Sequence, residues 1–255
     1  MKIHNYNFQI LSVNSALLES PGTAYQSKLN INRIYKIATE FDEFLANEPK
    51  VSFRNGHYYV LDGQNTIAAR KLLNGGNDLP IQCKVFYNLT ESDEALLFAR
   101  QAGTNPGARF QALVCGGDRD AVEFLRLTEN MGLRIDYKQT RGAGQLACIS
   151  TAFDLYRKAG SQTYQKAMHL LIDSWNGAPD SLQADLIHSM VEFVRLYDGE
   201  YNRNRLVPRL RKIEPAMLIR EGKAVTAYTG YKRYLYLLYM IYNASPTKNP
   251  LPLKF

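Results

Sequence analysis

Residues 51–70, VSFRNGHYYVLDGQNTIAAR, constrain the fold more than any other stretch of the chain. Two short apolar runs flank Asn55-Gly56, a pair that supplies both positive-φ positions of a two-residue hairpin turn. Residues 51–54 and 57–61 are therefore expected to form antiparallel strands. The second run ends in Asp62-Gly63, after which Ile67, Ala68, Leu72 and Leu73 recur at helical spacing. Gly63 thus stands where strand becomes helix, with unpaired backbone N–H groups aimed outward. Such a terminus favours an anion, often a phosphate. A tight turn with Asp62 as N-cap accounts for the same spacing.

The rest of the N-terminal part alternates strand and helix signals. Residues 8–13 read as a strand, and residues 32–45 as a helix turning Ile34, Ile37, Ala38, Phe41 and Leu45 inward. Asn74-Gly75-Gly76-Asn77 breaks the chain, residues 81–87 form a further strand, and Thr90-Glu-Ser-Asp opens a helix in a capping pattern. From Asn105 onward helical periods dominate, separated by glycine-containing breaks. Residues 118–131 turn Ala121, Val122, Leu125 and Leu127 inward, residues 146–158 Ile149, Phe153 and Tyr156, and residues 182–197 Leu186, Ile187, Met190, Phe193 and Val194. The expected class is α+β, with an α/β domain over 1–104 and an all-helical domain over 105–255. The loop 101–109 between them, QAGTNPGAR, also reads as a plain linker.

The 255 residues, 45% hydrophobic, suffice for such cores. No run approaches the roughly 20 apolar residues of a membrane span, and MKIHNYNFQI lacks a signal-peptide pattern. A soluble cytoplasmic protein with no membrane partner is expected. Cys83, Cys115 and Cys148 lie far apart beside apolar residues and are expected as buried, reduced thiols. His4, His57, His169 and His188 make no pair at metal-ligand spacing, so no metal site is expected.

The net charge of +7 is concentrated at one end: residues 200–255 hold 11 Lys and Arg against 3 Asp and Glu. In RNRLVPRLRK, the residues Arg203, Arg205, Arg209, Arg211 and Lys212 have the density of a phosphate-contacting surface, which makes DNA the expected partner. A solvated basic helix anchored by Leu206, Leu210 and Ile213 is the alternative. Tyr231, Tyr234, Tyr236, Tyr239 and Tyr242 cover too many helix faces for one base-stacking stripe and are expected mostly to pack.

Three of these segments together resemble the N-terminal domain of the ParB/sulfiredoxin superfamily over residues 5–110: the helix at 32–45, the strands ending in YYVLDGQNTIAAR, and IQCKVFYNLT followed by an acidic helix. In that family a strand runs into Asp-Gly-x-His-Arg, or Gly-Glu-Arg-Arg in ParB proteins. The turn holds the phosphates of CTP in ParB and ATP in sulfiredoxin, and many members are described as ParB-like nucleases. A helical DNA-binding region follows it in ParB. The overall pattern is similar to ParB-like proteins carried by phages and conjugative elements.

The resemblance implies that Asp62, Gly63, Gln64, Asn65 and Thr66 line a nucleotide-phosphate site. Asn65 stands at the usual histidine position and Thr66 at the usual arginine position, so the cationic ligand is missing. That loss is expected to weaken nucleotide binding by roughly 1.5–3 kcal/mol. Arg70, two turns on, is within one long side chain of the corner and is the candidate substitute. Asn105 and Arg109 correspond to the family's Asn-x-x-Arg element, one residue wider. Gln64 stands where sulfiredoxins carry the attacking cysteine, so no thiol is placed to react.

The expected function is a non-enzymatic, ParB-like DNA-binding protein with weakened or lost binding of CTP or ATP with Mg, and no residue is assigned as catalytic. One alternative is a nuclease or NTPase using Asp62 with Glu91, Asp93 and Glu94, acidic residues that helix capping also explains. Another is a protein-interaction scaffold that keeps the turn because the fold requires it. The expected oligomeric state is a monomer or weak dimer.

Overall fold

The computed structural model describes residues 6–26, 28–101, 104–245 and 248–255. His4 and positions 102 and 103 of the expected linker lie outside the described residues. The architecture is mixed α and β, in two compact units, Met1–Asp118 and Arg119–Phe255.

The first unit contains β1 (Phe8–Asn14), β2 (Leu18–Glu19), α1 (Ile31–Thr39), β3 (Lys50–Arg54), β4 (His57–Asp62), α2 (Gln64–Leu73), β5 (Pro80–Tyr87), α3 (Glu91–Ala99) and α4 (Pro106–Cys115). The strands form one sheet in the order β1-β5-β3-β4-β2. β1 runs antiparallel to β5, β3 parallel to β5 and antiparallel to β4, and β2 parallel to β4. The β3–β4 reversal forms as expected: Asn55 and Gly56 take φ of 53° and 82°, the paired positive values a right-twisted hairpin needs.

One sheet face supplies Val13, Val51, Val60, Ile81, Cys83 and Val85, which pack with Ile67 of α2. On the other, Arg54 donates to Glu94 of α3 at 2.9 Å, pairs with Glu91 at 3.0 Å, and lies 4.3 Å from the centre of the Tyr59 ring. The α3 cap is the expected one, with Thr90 and Asp93 each accepting from the other's backbone N–H. Ala95 and Ala99 of α3 meet Ala112 of α4 around Tyr25 and Phe98. The expected break at residue 104 therefore falls inside the first unit, because α4 covers α3.

Periodicity located these helices better than it measured them. The helix expected over 32–45 ends at Thr39; Ile34, Ile37, Ala38 and Phe41 are half-buried, but Leu45 is 74% exposed. In α2 the buried residues are Ile67 and Ala69, while Leu72 and Leu73 in the last turn face solvent.

The second unit contains α5 (Arg119–Asn130), β6 (Arg134–Ile135), β7 (Gln145–Leu146), α6 (Ile149–Ala159), α7 (Ser161–Trp175), α8 (Ala184–Tyr197), α9 (Arg203–Leu210), α10 (Pro215–Ala224) and α11 (Lys232–Asn243). It is not purely helical, since β6 and β7 pair in parallel. Leu186, Ile187, Met190, Phe193 and Val194 are fully buried, as their spacing requires. In α5, Phe124 takes the inward place expected for Val122, and its ring lies 5.4 Å from Phe153, 5.4 Å from Tyr156 and 5.6 Å from Tyr164.

The last residues close this unit. Leu251 is buried and exchanges two hydrogen bonds with the Asn243 side chain, at 2.8 and 3.1 Å. The Tyr197 hydroxyl donates to the Pro252 carbonyl at 2.9 Å, and Lys254 donates to the Leu196 carbonyl at 3.0 Å and pairs with Glu200. Among the described residues no helix is long and apolar enough to cross a membrane.

Candidate functional site

The site is built around the junction of β4 and α2. Gly63 is the N-cap of α2 with φ of 97°, a left-handed conformation that favours glycine. A Cβ there would stand 3.1 Å from both Cα and Cβ of Pro49, so space demands glycine as well. Asp62 is not the cap: it ends β4 and its carboxylate pairs with Lys50 at 3.0 Å. Among the described residues no side chain caps α2, and its first turn carries no acidic residue. The first helical bond runs from the Ile67 N–H to the Gly63 carbonyl at 2.9 Å, so the N–H groups of Gln64, Asn65 and Thr66 precede the ladder.

The side chains around this terminus form a framework. Asn65 Oδ1 accepts the Asn30 N–H at 3.0 Å, and Asn30 Oδ1 in turn accepts the Arg33 N–H at 3.0 Å, capping α1. The Asn30 cap and the Asn30–Asn65 bond thus tie the start of α1 to the start of α2. Gln64 Nε2 donates to Gln26 Oε1 at 3.0 Å, and Gln26 Nε2 donates to the Val60 carbonyl at 2.9 Å.

Two clefts open beside Gly63. The larger, about 570 Å³, is lined by residues that include Arg33, Lys36, Phe41, Asp62, Gly63 and Thr66. The smaller, about 290 Å³, includes Arg33, Gly63, Gln64, Asn65, Gln101 and Asn105. Both contain Arg33, a residue the motif did not indicate. Its one sequence signal is its place three residues after Asn30, the N-cap of an amphipathic helix.

The other expected ligands are placed differently. Arg70 donates to Glu43 at 2.8 Å, lies 5.0 Å from the centre of the Phe41 ring and has a side chain only 13% exposed. It holds the segment after α1 and is absent from the lining of either cleft. Asn105 reaches the smaller cleft, but its side-chain oxygen accepts the Gly107 and Ala108 N–H groups at 2.9 and 3.4 Å, capping α4. Arg109 is exposed and lines neither cleft. Glu91 and Glu94 are engaged by Arg54, and Asp93 by the cap of α3. Among the described residues no group of three or more His, Cys, Asp or Glu side chains is arranged to hold a metal.

The three cysteines are free. Burial pushes the Cys83 and Cys148 thiols up to about 11, which keeps them protonated near neutrality. Two depart from the expectation of full burial: Cys115 ends α4 and is exposed, and Cys148 is half-buried.

The basic segment is only partly free to meet a ligand. Arg203 pairs with Asp173. Arg205 donates to the Lys248 and Asn249 carbonyls at 2.7 and 3.2 Å, Arg209 to the Ile241 and Tyr242 carbonyls at 3.0 and 2.5 Å, and Arg211 to the Asp173 carbonyl at 2.9 Å. Arg209 and Arg211 thus serve the last turns of α11 and α7, where orphan carbonyls and the helix dipole favour cations. Lys212 is exposed. Tyr234 and Tyr242 are buried, and the Tyr242 hydroxyl accepts the Asn202 N–H at 2.9 Å.

Compared with known proteins, residues 20–255 match a family described as "Family of unknown function (DUF6551)". No curated protein and no solved structure matches the chain.

Proposed function

The chain belongs to DUF6551, and from its site we propose that it is a ParB-like, nucleic-acid-associated protein whose first unit holds nucleotide phosphates at the start of α2. The observation that carries this reading is an uncapped helix terminus, formed on a glycine at φ 97°, between two clefts that share Arg33. Unpaired N–H groups and the helix dipole favour a phosphate there. Arg33, supplied by α1, takes the part of the motif arginine replaced by Thr66, and a guanidinium can make paired, charge-assisted bonds to phosphate oxygens. The order of hairpin, glycine corner, helix, strand and acidic helix supports a ParB/sulfiredoxin-like arrangement. Binding is favoured over hydrolysis because Glu91, Asp93 and Glu94, the acidic residues a nuclease or NTPase would draw on, are engaged in an ion pair and a cap.

Calorimetry with CTP and with ATP, each with Mg, tests the site. Binding is expected with a Kd between about 10 µM and 1 mM, weakened about tenfold by Arg33→Ala. The Arg70 side chain meets the larger cleft only through Phe41, so Arg70→Ala is expected to weaken affinity less than Arg33→Ala does. Absence of heat with both nucleotides at millimolar concentration would remove the proposal. Association with DNA is its second part, supported by the surplus of cations in residues 200–255. Binding measured at low salt should weaken as salt rises, with Lys212→Ala lowering the slope by about one if it meets a phosphate. No DNA affinity at low salt would reject this part and leave the nucleotide site standing.

A further inference from the structure

β1 is an edge strand of the five-stranded sheet. Its register with β5 pairs Phe8 with Phe86 and Ile10 with Lys84, and the flanking bonds run from Tyr87 N–H to the Asn7 carbonyl and from Ser15 N–H to the Leu79 carbonyl. Because hydrogen-bonded positions alternate along an antiparallel ladder, the odd-numbered residues of β1 bond to β5. The backbone N–H and C=O groups of Phe8, Ile10 and Ser12 then point away from the sheet. Phe8 and Ile10 also carry exposed apolar side chains, 48% and 53% accessible, on the face where Phe86 lies beside Phe8 at 5.8 Å and the Lys84 ammonium, from β5, stands 3.8 Å over the Phe8 ring. Outward backbone and outward apolar surface therefore belong to the same residues.

Edge strands are usually blunted by charge, proline, a bulge or shortness. β1, with sequence FQILSVN, has no charged residue and no proline, spans seven residues, and keeps an unbroken register with β5. β2, at the opposite edge, is only two residues long.

The geometry points to pairing of two copies of the chain through β1, antiparallel about a two-fold axis, joining their sheets into one of ten strands. A second copy is the occupant that the strand's chemistry fits. An uncharged strand meets itself without opposing like charges, and its outward donors and acceptors are self-complementary when antiparallel. With Ile10 opposite Ile10 of the partner subunit, Phe8 faces Ser12 of the partner subunit, and the Phe8–Ile10–Phe86 strip continues across the axis. An edge about 23 Å long with one apolar strip falls short of the roughly 1,600 Å² of a standard interface. The dimer is accordingly weak, with a Kd of order 10–100 µM.

Sedimentation velocity on the full chain, between about 1 and 500 µM, tests the pairing. The mass should rise from the 29.0 kDa of one chain towards twice that value. Ile10→Lys places a charge on the strand, and Ser12→Pro deletes an outward N–H while leaving the bonds to β5 in place. Each should weaken dimerisation at least tenfold, whereas Phe44→Lys, at an exposed apolar residue away from β1, should not. Circular dichroism identifies any variant that fails to fold, and the remaining one then decides. A wild type that stays monomeric throughout, as it would if β1 took a peptide from another protein, overturns the proposal. So does a dimer undiminished in the folded β1 variants.

Discussion

Asn65 shows how one amide side chain can join the starts of two helices. Its side-chain oxygen accepts the Asn30 N–H and so positions α1, from which Arg33 reaches both clefts. Asn65→Ala should lower stability by about 1 kcal/mol in urea titration and weaken nucleotide binding severalfold, because the cation is held less firmly. A severalfold loss without any stability change would mean that Asn65 touches the ligand itself. Gly63→Ala forces a side chain into a left-handed conformation against Pro49, and should cost about 1–3 kcal/mol by the same measurement. The sequence made this glycine legible because strand and helix signals meet there. It could not show Arg33, whose relevance depends on α1 lying beside α2. Asp136 was equally hidden. Burial opposes its ionisation, yet bonds from the Arg141 N–H at 2.7 Å, the Thr140 hydroxyl at 3.2 Å and the Lys138 N–H at 3.2 Å outweigh that and hold its carboxyl below the usual range. The folded state therefore binds this proton less tightly than the unfolded chain. Its stabilisation is complete above the ordinary carboxylate value of about 3.9 and is lost as pH falls through the lower folded value. Asp136→Asn should reduce stability at pH 7 by about 2 kcal/mol and flatten this part of the acid limb in melting curves.

Elements were legible in proportion to how few solutions their local sequence allows. Asn55-Gly56 between two apolar runs has one common solution, and the hairpin formed within a residue of expectation. α7 passed unnoticed because its buried positions include Tyr164, Ala167 and Ser174, which blur the apolar period. β6 and β7, two residues each, are too short to show any alternation. The basic run on α9 was visible as charge, but charge reports nothing about partners. Arg209→Ala removes two bonds to the last turn of α11 and should destabilise the second unit by about 1–3 kcal/mol, read by urea unfolding. Lys212→Ala should leave stability within about 0.5 kcal/mol. If the Arg209 variant also lost DNA affinity, comparing it with a folded Lys212 variant would separate fold from contact.

For the whole molecule, the consequential difference from the sequence reading is that α4 belongs with α3. A glycine- and proline-containing loop marks a reversal as readily as a domain boundary, so the break near residue 104 could not be told from a turn between packed helices. A fragment ending at Asp118 should melt cooperatively and retain nucleotide binding. One ending at residue 104 bares Ala95 and Ala99 of α3 and should not melt cooperatively. The two units also differ in when their structure can be completed during synthesis. Everything that closes the first lies before residue 119, so it can fold while later residues are still being added. The second is fastened by Leu251, Pro252 and Lys254 onto α8 and α11. Until residues 251–254 have been made, their anchoring sites on α8 and α11 stay open, so this unit cannot complete its packing before that segment emerges.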